Sequence, residues 1–572
     1  MSRGSQHSRL LTHGLYALLT TTLLTARPGV AAAQDPGTLQ FASSVDDATV
    51  KLSRDLSLLP PTTNSFSSQM VDVVVAVEST SSLDDGIAQR AGAIRRQQYA
   101  SLPYQSLRVP KSALQKLASD PLVHYVTADA VVTGASQPAR QAARVPGSSV
   151  YLNTPNAAYR GAGVTVAVID TGVSDHPDFY ARVGQFDFLN GAAGVPMAFT
   201  DGFGHGSHVA GMIGGTGLQS TSAKYQGAAT EAGIVSLRVL DAQGKGHLSD
   251  VLAALDWILT VGKAQFDIRV VNLSLGKGVQ EAQALDPLVQ AVNAVWDAGV
   301  VVVVSAGNHG DSGHYTVTSP GNSRKVITVG SVTDQGSGTN LNDDKVSSFS
   351  SRGPTLFDKV LKPDLVAPGN KIVAPFAPGA TLATLLPPSR VFCGTGGTCS
   401  WRYLQLSGTS MAAGVVSGAV ARMIDKDPSL TPATVKARLM RTARKMSGDP
   451  TAIGAGALDV ESAMNATGVL NGQALSPLMK LSSNGQIAYV QDTAQLWGGS
   501  SWSAGNLWAQ GYLWTDASLL GSAGYLWSNA YLWTNANLWA DAYLWTNGFL
   551  WTEAVAPASI GVEDVDAPEV QE

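Results

Sequence analysis

The sequence predicts an α/β protein with a doubly wound, mostly parallel sheet. A small α+β unit precedes it and a region of short repeated β strands follows. Three observations carry this reading. First, five apolar, β-branched runs recur through the middle of the chain: "VTVAVID" (164–170), "IVSLRVL" (234–240), "VVNLSLG" (270–276), "VVVVVSAG" (300–307) and "KVITVGSV" (325–332). Such runs suit strands buried on both faces of a parallel sheet. Second, helical patterns such as 248–262 and 284–299 alternate with them, as a doubly wound sheet requires. Third, the texture changes on both sides of this stretch. With 572 residues the chain has room for several domains.

In chain order, residues 1–33 read as a secretory signal. Arg3 and Arg9 supply a positive start, "LYALLTTTLLTA" (15–26) an apolar run too short for a bilayer, and Ala31–Ala33 a small-residue cleavage site. Residues 34–70 read as a linker. In 71–135 a strand (71–77), a helix (83–97), a strand (104–110), a short helix (111–120) and a strand (123–132) form the α+β unit. Residues 136–149, rich in Gly, Pro, Ser and Arg, form an exposed linker open to proteolysis. The main domain spans 150–465. Thr431 and Pro432 open a late helix in cap and first-turn order.

Residues 466–555 are set apart by tryptophan: nine of the chain's 12 lie in 497–551. The stretch repeats a six-residue unit close to aromatic-Leu-Trp-Thr-Asn-Ala. Six residues do not return to one helical face, but they keep phase in a strand of period two. Short stacked strands, arranged as a solenoid, are therefore expected. Residues 556–572 form an acidic tail expected to be disordered.

A net charge of −5 argues against nucleic-acid binding, which needs a basic footprint. The two cysteines, Cys393 and Cys399, flank a Gly-rich spacer. In an exported protein they would pair as a disulfide, and otherwise they are two thiols. With no histidine among them they make a poor metal site.

Reactive side chains occur where parallel sheets place active sites, just past the strand carboxyl ends. Asp170 ends the first strand of the main domain. His205 lies among glycines at a helix start. Ser410 sits at the mouth of a helix of small residues, in "LSGTSMAAGVVSGAV". An acid, a base and an alcohol are what nucleophilic catalysis needs: the histidine takes the serine proton and the carboxylate holds the histidine. Each alone has a plainer reading, as a cap or a turn residue. The second histidine, His208, has no catalytic reading. Asn308, in "VSAGNHG", is placed to direct its amide at a developing oxyanion, with the Ser410 N–H as second donor.

"VIDTGV", "GHGSHVAG", "SAGN" and "SGTSMAA" closely resemble the four signature segments of the subtilisin-like serine peptidases, in the same Asp, His, Ser order. "SSFSSRGP" (347–354) and "KPDLVAPG" (362–369) resemble two further segments. The resemblance covers 150–465. It implies a subtilisin-like fold and a secreted serine endopeptidase made as a zymogen, with Asp170, His205 and Ser410 as the triad and Asn308 as the oxyanion residue. It further implies that Ser274, Leu275 and Gly276, with Ser305, Ala306 and Gly307, line the cleft for a protein or peptide substrate. Residues 71–135 are similar in pattern to the family's inhibitory propeptide, a ferredoxin-like unit, which makes the chain's own N-terminal segment an intramolecular inhibitor. No cofactor is implied. Many members hold structural calcium, but no ligand run here compares with a calcium loop. Gly414 and Val415 stand where the family carries Pro-His, which predicts a looser first turn of that helix with no catalytic group lost.

Two rival readings stand beside this one. A catalytically silent relative would act as a surface binding protein. Alternatively the tryptophan region would be the main functional part, meeting a polysaccharide or the cell surface through 497–551. The plainer fate of those tryptophans is the core of their own repeat stack. Similar Leu-Trp repeats trail some exported bacterial subtilases, which assigns them no role.

Overall fold

The structure is a computed structural model. It describes residues 51–59, 69–134, 158–179, 181–333, 343–391, 402–444, 446, 449–470 and 472–481, with the strand at 487–491 and five short strands between 513 and 552. Cys393 and Cys399 lie outside the described residues.

The main domain is built on a nine-stranded sheet. Six strands run parallel side by side: Ile327–Thr333, Val301–Ser305, Ile268–Leu273, Thr165–Asp170, Gly233–Arg238 and Arg182–Asp187. Leu365–Pro368 pairs in parallel with Ile327–Thr333, and Lys345–Val346 and Val195–Pro196 add antiparallel edges. All residues of Val301–Ser305 are buried, as are all but the first of Thr165–Asp170. Successive side chains alternate faces, so both faces of the sheet are covered. The register brings the ends of neighbouring strands level, with Ile169 opposite Leu273 and Leu273 opposite Val304.

The helix Thr409–Lys426 is buried from Thr409 to Ile424 and packs on His205–Gly214. Gly414, expected in the first turn, is the sixth residue of this helix and so lies in its second turn. A Cβ at this position would lie 3.0 Å from the Cβ of Met212 and 3.1 Å from the Val209 carbonyl. Glycine lets the two helices close on each other.

The unit at 70–128 is an antiparallel sheet in the order Ile94–Gln98, Tyr104–Pro110, Met70–Val77, Val123–Ala128. Its helices are Asp85–Ala91 and Leu114–Ala118. Val73, Val75 and Val77 enter this unit's own core, whereas Val74 and Ala76 join Tyr104 and Tyr125 in the core shared with the main domain. One strand thus serves two cores by simple alternation.

Several boundaries differ from expectation. The helix expected over 83–97 ends at Gly92, whose φ of +61° caps it, and a strand follows. The linker expected over 34–70 is interrupted: Arg54–Ser57 is helical, and Leu52 and Leu56 are buried in the core of the small unit. The strand expected over 123–132 breaks at Asp129–Ala130, and Val131–Gly134 crosses to the main domain.

The end of the main domain at 465 is also corrected, because the chain stays docked to Met479. Leu470, Ala474 and Met479 are buried. The Leu361 N–H donates to the Pro477 carbonyl at 2.8 Å and the Met479 N–H to the Lys359 carbonyl at 2.7 Å. Ser476 closes a wholly buried charge cluster. Lys362 Nζ donates to Asp364 at 2.7 Å, Lys436 Nζ lies 3.3 Å from the same carboxylate, and Lys436 Nζ donates to Ser476 Oγ at 2.8 Å. Burial pulls both lysines down and would raise Asp364, but the two ammonium groups hold Asp364 below its ordinary value.

Beyond this, Leu513–Trp514 pairs in parallel with Leu532–Thr534, which pairs with Leu550–Thr552, and Leu526–Trp527 pairs with Leu544–Trp545. Leucine stands beside leucine and tryptophan beside tryptophan, every third repeat unit. Among the described residues no helix is long and apolar enough to cross a membrane.

Candidate active site

Asp170 closes its strand fully buried. The His205 Nδ1–H donates to its carboxylate, at 2.7 Å to Oδ1 and 2.9 Å to Oδ2. Burial alone would lower the imidazole, but the Asp170 charge and hydrogen bond outweigh it and raise its pKa. The proton on Nδ1 leaves Nε2 as the basic nitrogen. Nε2 is buried and has no hydrogen-bond partner among the described residues.

His205 is the first residue of its helix, so its position depends on how that helix begins. Asp201, which sequence reasoning missed, organises this start. Its Oδ1 accepts from the Gly204 N–H at 2.7 Å and from Thr171 Oγ1 at 2.8 Å, and its Oδ2 from the Ser207 N–H at 2.8 Å and the Ser207 hydroxyl at 2.7 Å. Burial nevertheless pushes its pKa up. Thr171 Oγ1 in turn accepts from the Gly206 N–H at 2.9 Å. A Cβ at Gly206 would lie 2.2 Å from the Gly172 carbonyl oxygen, so only glycine allows the helix to approach Asp170 this closely. An acid four residues before a helix-opening histidine was a readable signal. His208 on the same helix donates from Nε2 to the carbonyls of Ile372 and Leu404, at 3.2 and 3.0 Å. Burial lowers its pKa to about 3, so it is neutral and structural.

Ser410 is the second residue of its helix and fully buried. Its hydroxyl donates to the Ser274 carbonyl at 3.1 Å. A buried chain holds this pairing from behind: Ser417 Oγ to Asn272 Oδ1 at 2.8 Å, Asn272 Nδ2 to Ser274 Oγ at 3.0 Å, and Ser274 Oγ to the Ser410 carbonyl at 3.0 Å. Asn308 accepts at Oδ1 from the Thr409 N–H (2.9 Å) and Thr409 Oγ1 (3.0 Å), which turns its NH2 away from that residue.

The expected cleft segments lie beside these groups. Leu275 and Gly276 pair antiparallel with Gly134 and Thr133, and Val131–Gly134 pairs on its other edge with Lys245–His247. The chain's own strand therefore runs between two strands of the main domain. A Cβ at Gly134 would lie 3.3 Å from His205 Nδ1. The unit before this strand is held by two acids. Asp256 accepts from the N–H groups of Ala100, Ser101 and Leu102 and from the Ser101 hydroxyl, at 2.7–3.2 Å. Asp129 accepts from the N–H and hydroxyl of Ser249, at 2.8 and 2.7 Å, at the start of helix Leu248–Trp257. Ser305 ends its strand, and the Ala306 carbonyl and the Gly307 backbone tie to Thr318 and Ser351. Among the described residues, no group of three or more His, Cys, Asp or Glu is placed to hold a metal ion.

AprX, a serine protease of Bacillus subtilis, is 39% identical over 309 residues, 53% of this chain and 66% of AprX. Subtilisin E of the same organism is 31% identical over 393 residues, 67% of this chain and 86% of subtilisin E. The crystal structure of fervidolysin from Fervidobacterium pennivorans shares the fold, with a TM-score of 0.55 at 19% identity, over 75% of this chain and 65% of that one. The chain thus spans just under two thirds of AprX and of fervidolysin. The subtilase profile matches residues 161–456, which include Asp170, His205, Asn308 and Ser410, and the chain belongs to the subtilase family of serine-type endopeptidases.

Proposed function

We propose that this chain is a secreted serine endopeptidase, made as a zymogen, that hydrolyses protein or peptide substrates. The observation that carries the reading is the buried Asp170–His205 bond beside a cleft in which an extended strand ends at the imidazole. In the proposed reaction, His205 Nε2 takes the proton of Ser410 as Oγ attacks the substrate carbonyl. The Ser410 N–H and the Asn308 NH2 stabilise the oxyanion, His205 returns the proton to the leaving amine, and water releases the acyl group. Side chains carry every proton, so no cofactor is required.

The strand Val131–Gly134 is read as the inhibitory end of the propeptide. Thr133 stands opposite Gly276 and Gly134 opposite Leu275, so the described strand ends one position short of Ser274. The processing cut is proposed between Ala135 and Ser136. Until then the Ser410 hydroxyl rests on the Ser274 carbonyl. Residues 1–33 are proposed as the export signal. The Leu-Trp strands are proposed as a β solenoid trailing the enzyme.

The test is casein digestion by the full chain and by Ser410→Ala, with the new N-terminus read by mass spectrometry. Loss of both digestion and processing in the variant is expected. Equal digestion by the two proteins removes the proposed nucleophile.

A further inference from the structure

The helix that presents Ser410 holds a second serine whose hydroxyl turns away from the helix. Ser417 lies seven residues further on, two turns along the same face and about 10 Å from Ser410 along the axis. A serine inside a helix commonly returns its hydroxyl to the carbonyl four residues back. Ser417 instead donates to Asn272 Oδ1 at 2.8 Å, on the strand Ile268–Leu273. From there Asn272 Nδ2 donates to Ser274 Oγ, and Ser274 Oγ to the Ser410 carbonyl, both at 3.0 Å. All four residues are fully buried. The hydrogen bonds thus leave the helix at its third turn and return to it at its first.

Ser417 fixes the direction of the whole series. Because it donates, the amide of Asn272 must turn Oδ1 toward the helix and Nδ2 toward Ser274. Ser274 Oγ then accepts, and its single proton is left for the Ser410 carbonyl. Ser274 therefore grips Ser410 twice, with its hydroxyl on the Ser410 carbonyl and its own carbonyl on the Ser410 hydroxyl. Without the Ser417 hydroxyl the amide is free to flip. Oδ1 would then take the Ser274 proton, and the Ser410 carbonyl would lose it. We propose that Ser417 is a positioning residue for the nucleophile, acting through Asn272 and Ser274 on the Ser410 backbone. This rests on the peptidase reading above. Attack on a peptide carbonyl tolerates little misplacement: a shift of about 1 Å costs on the order of a hundred-fold in rate. Ser417 lies two turns behind the cleft, so its loss should fall on kcat rather than on KM.

The experiment uses the processed full chain, a tetrapeptide anilide as substrate, and a fluorophosphonate that labels the reactive serine to count working sites. Ser417→Ala is expected to lower kcat per titrated site at least five-fold, with KM within two-fold of wild type. The acid limb of the pH profile of kcat/KM should stay in place, because His205 and Asp170 are untouched. Ser417→Thr, which keeps the hydroxyl, should restore most of the loss. Ser274→Ala cuts the same series at its last link, and the double variant should be no worse than the poorer single one. A purely structural role would lower the melting temperature and the number of titrated sites but leave kcat per site unchanged. A loss in kcat per site smaller than five-fold, or losses that multiply in the double variant, overturns the proposal. If Ser417→Ala does not fold, Ser274→Ala and Ser417→Thr decide the same question. A wild-type chain that cleaves no substrate rejects the peptidase reading instead.

Discussion

The main domain carries two covers, and they bury charge on opposite terms. The N-terminal cover, 51–134, brings in Asp129 and is met by Asp256 and by the cluster of Lys277, Glu281 and Asp286. The C-terminal cover, 470–479, brings in only hydroxyl and backbone groups, over two lysines that share Asp364. The first contains one cation, Lys277, for four acids, and meets the domain through capped helix and loop ends, groups that water can satisfy on separation. The second contains one acid for two cations, and its lysines lean on the carbonyls of Arg324, Lys325 and Val326. Removing this cover strips Lys436 and Asp364 of the Ser476 hydroxyl, while the three charged groups stay together in the main domain. On the reading proposed above, the first cover is the inhibitor that is released and the second a permanent part of the fold.

The largest expected effect tests the permanent cover. A chain ending at 465 should lose about 3–5 kcal/mol, against one ending at 491, because the burial of Leu470 and Met479 and the Lys436–Ser476 hydrogen bond go with the cover. Thermal unfolding of the two forms measures this, and equal midpoints would erase the distinction between the covers.

Next comes Asp256→Ala. One carboxylate accepts four hydrogen bonds from the loop at 100–102. Its removal should weaken the hold of the N-terminal cover by about 3 kcal/mol, roughly a hundred-fold. The lag between processing and full activity should shorten accordingly, with little change in kcat/KM once the cover has gone.

The pH dependence is smaller. Burial, then the nearby Asp286, push Glu281 up to about 7 from an ordinary 4.5, against the pull of Lys277. Thr127 and Tyr125 of the cover face it, with Asp55 further out. The covered state thus binds a proton that the uncovered enzyme, with Glu281 back in water, releases. The sign follows from linkage: this contribution is complete below about pH 4.5 and is lost as pH rises through about 7. Retention of the cover should fall roughly ten-fold or more across that window. Glu281→Gln should flatten the fall, and an unchanged profile in inhibitor-release assays would remove Glu281 as its source.

The smallest change is expected from Asp129→Ala, which removes one helix cap at Ser249 and should cost about 1 kcal/mol of cover affinity. An effect as large as that of Asp256→Ala would show that the two acids act as one unit.

What the sequence determined by itself was written in short windows. Strands such as 165–170 and 301–305 were legible because burial on both faces demands unbroken β-branched runs. Asp170, His205 and Ser410 could be singled out because each sits where such a run meets a glycine-rich turn or helix mouth. Asp201 was within reach of the same reasoning, as an acid spaced to cap a helix. Other features only the tertiary structure decided. The strand at 131–134 had no signal of its own, because its hydrogen bonds go to residues 244–247 and 275–276 rather than to its chain neighbours. Gly92 looked like an ordinary helix glycine until its positive φ ended the helix. The docking of 470–479 depends on Asp364, more than a hundred positions away in sequence, accepting a hydrogen bond from the Ser476 hydroxyl. Local pattern records which face of an element is buried, but the identity of the partner across a gap is set by the path of the whole chain.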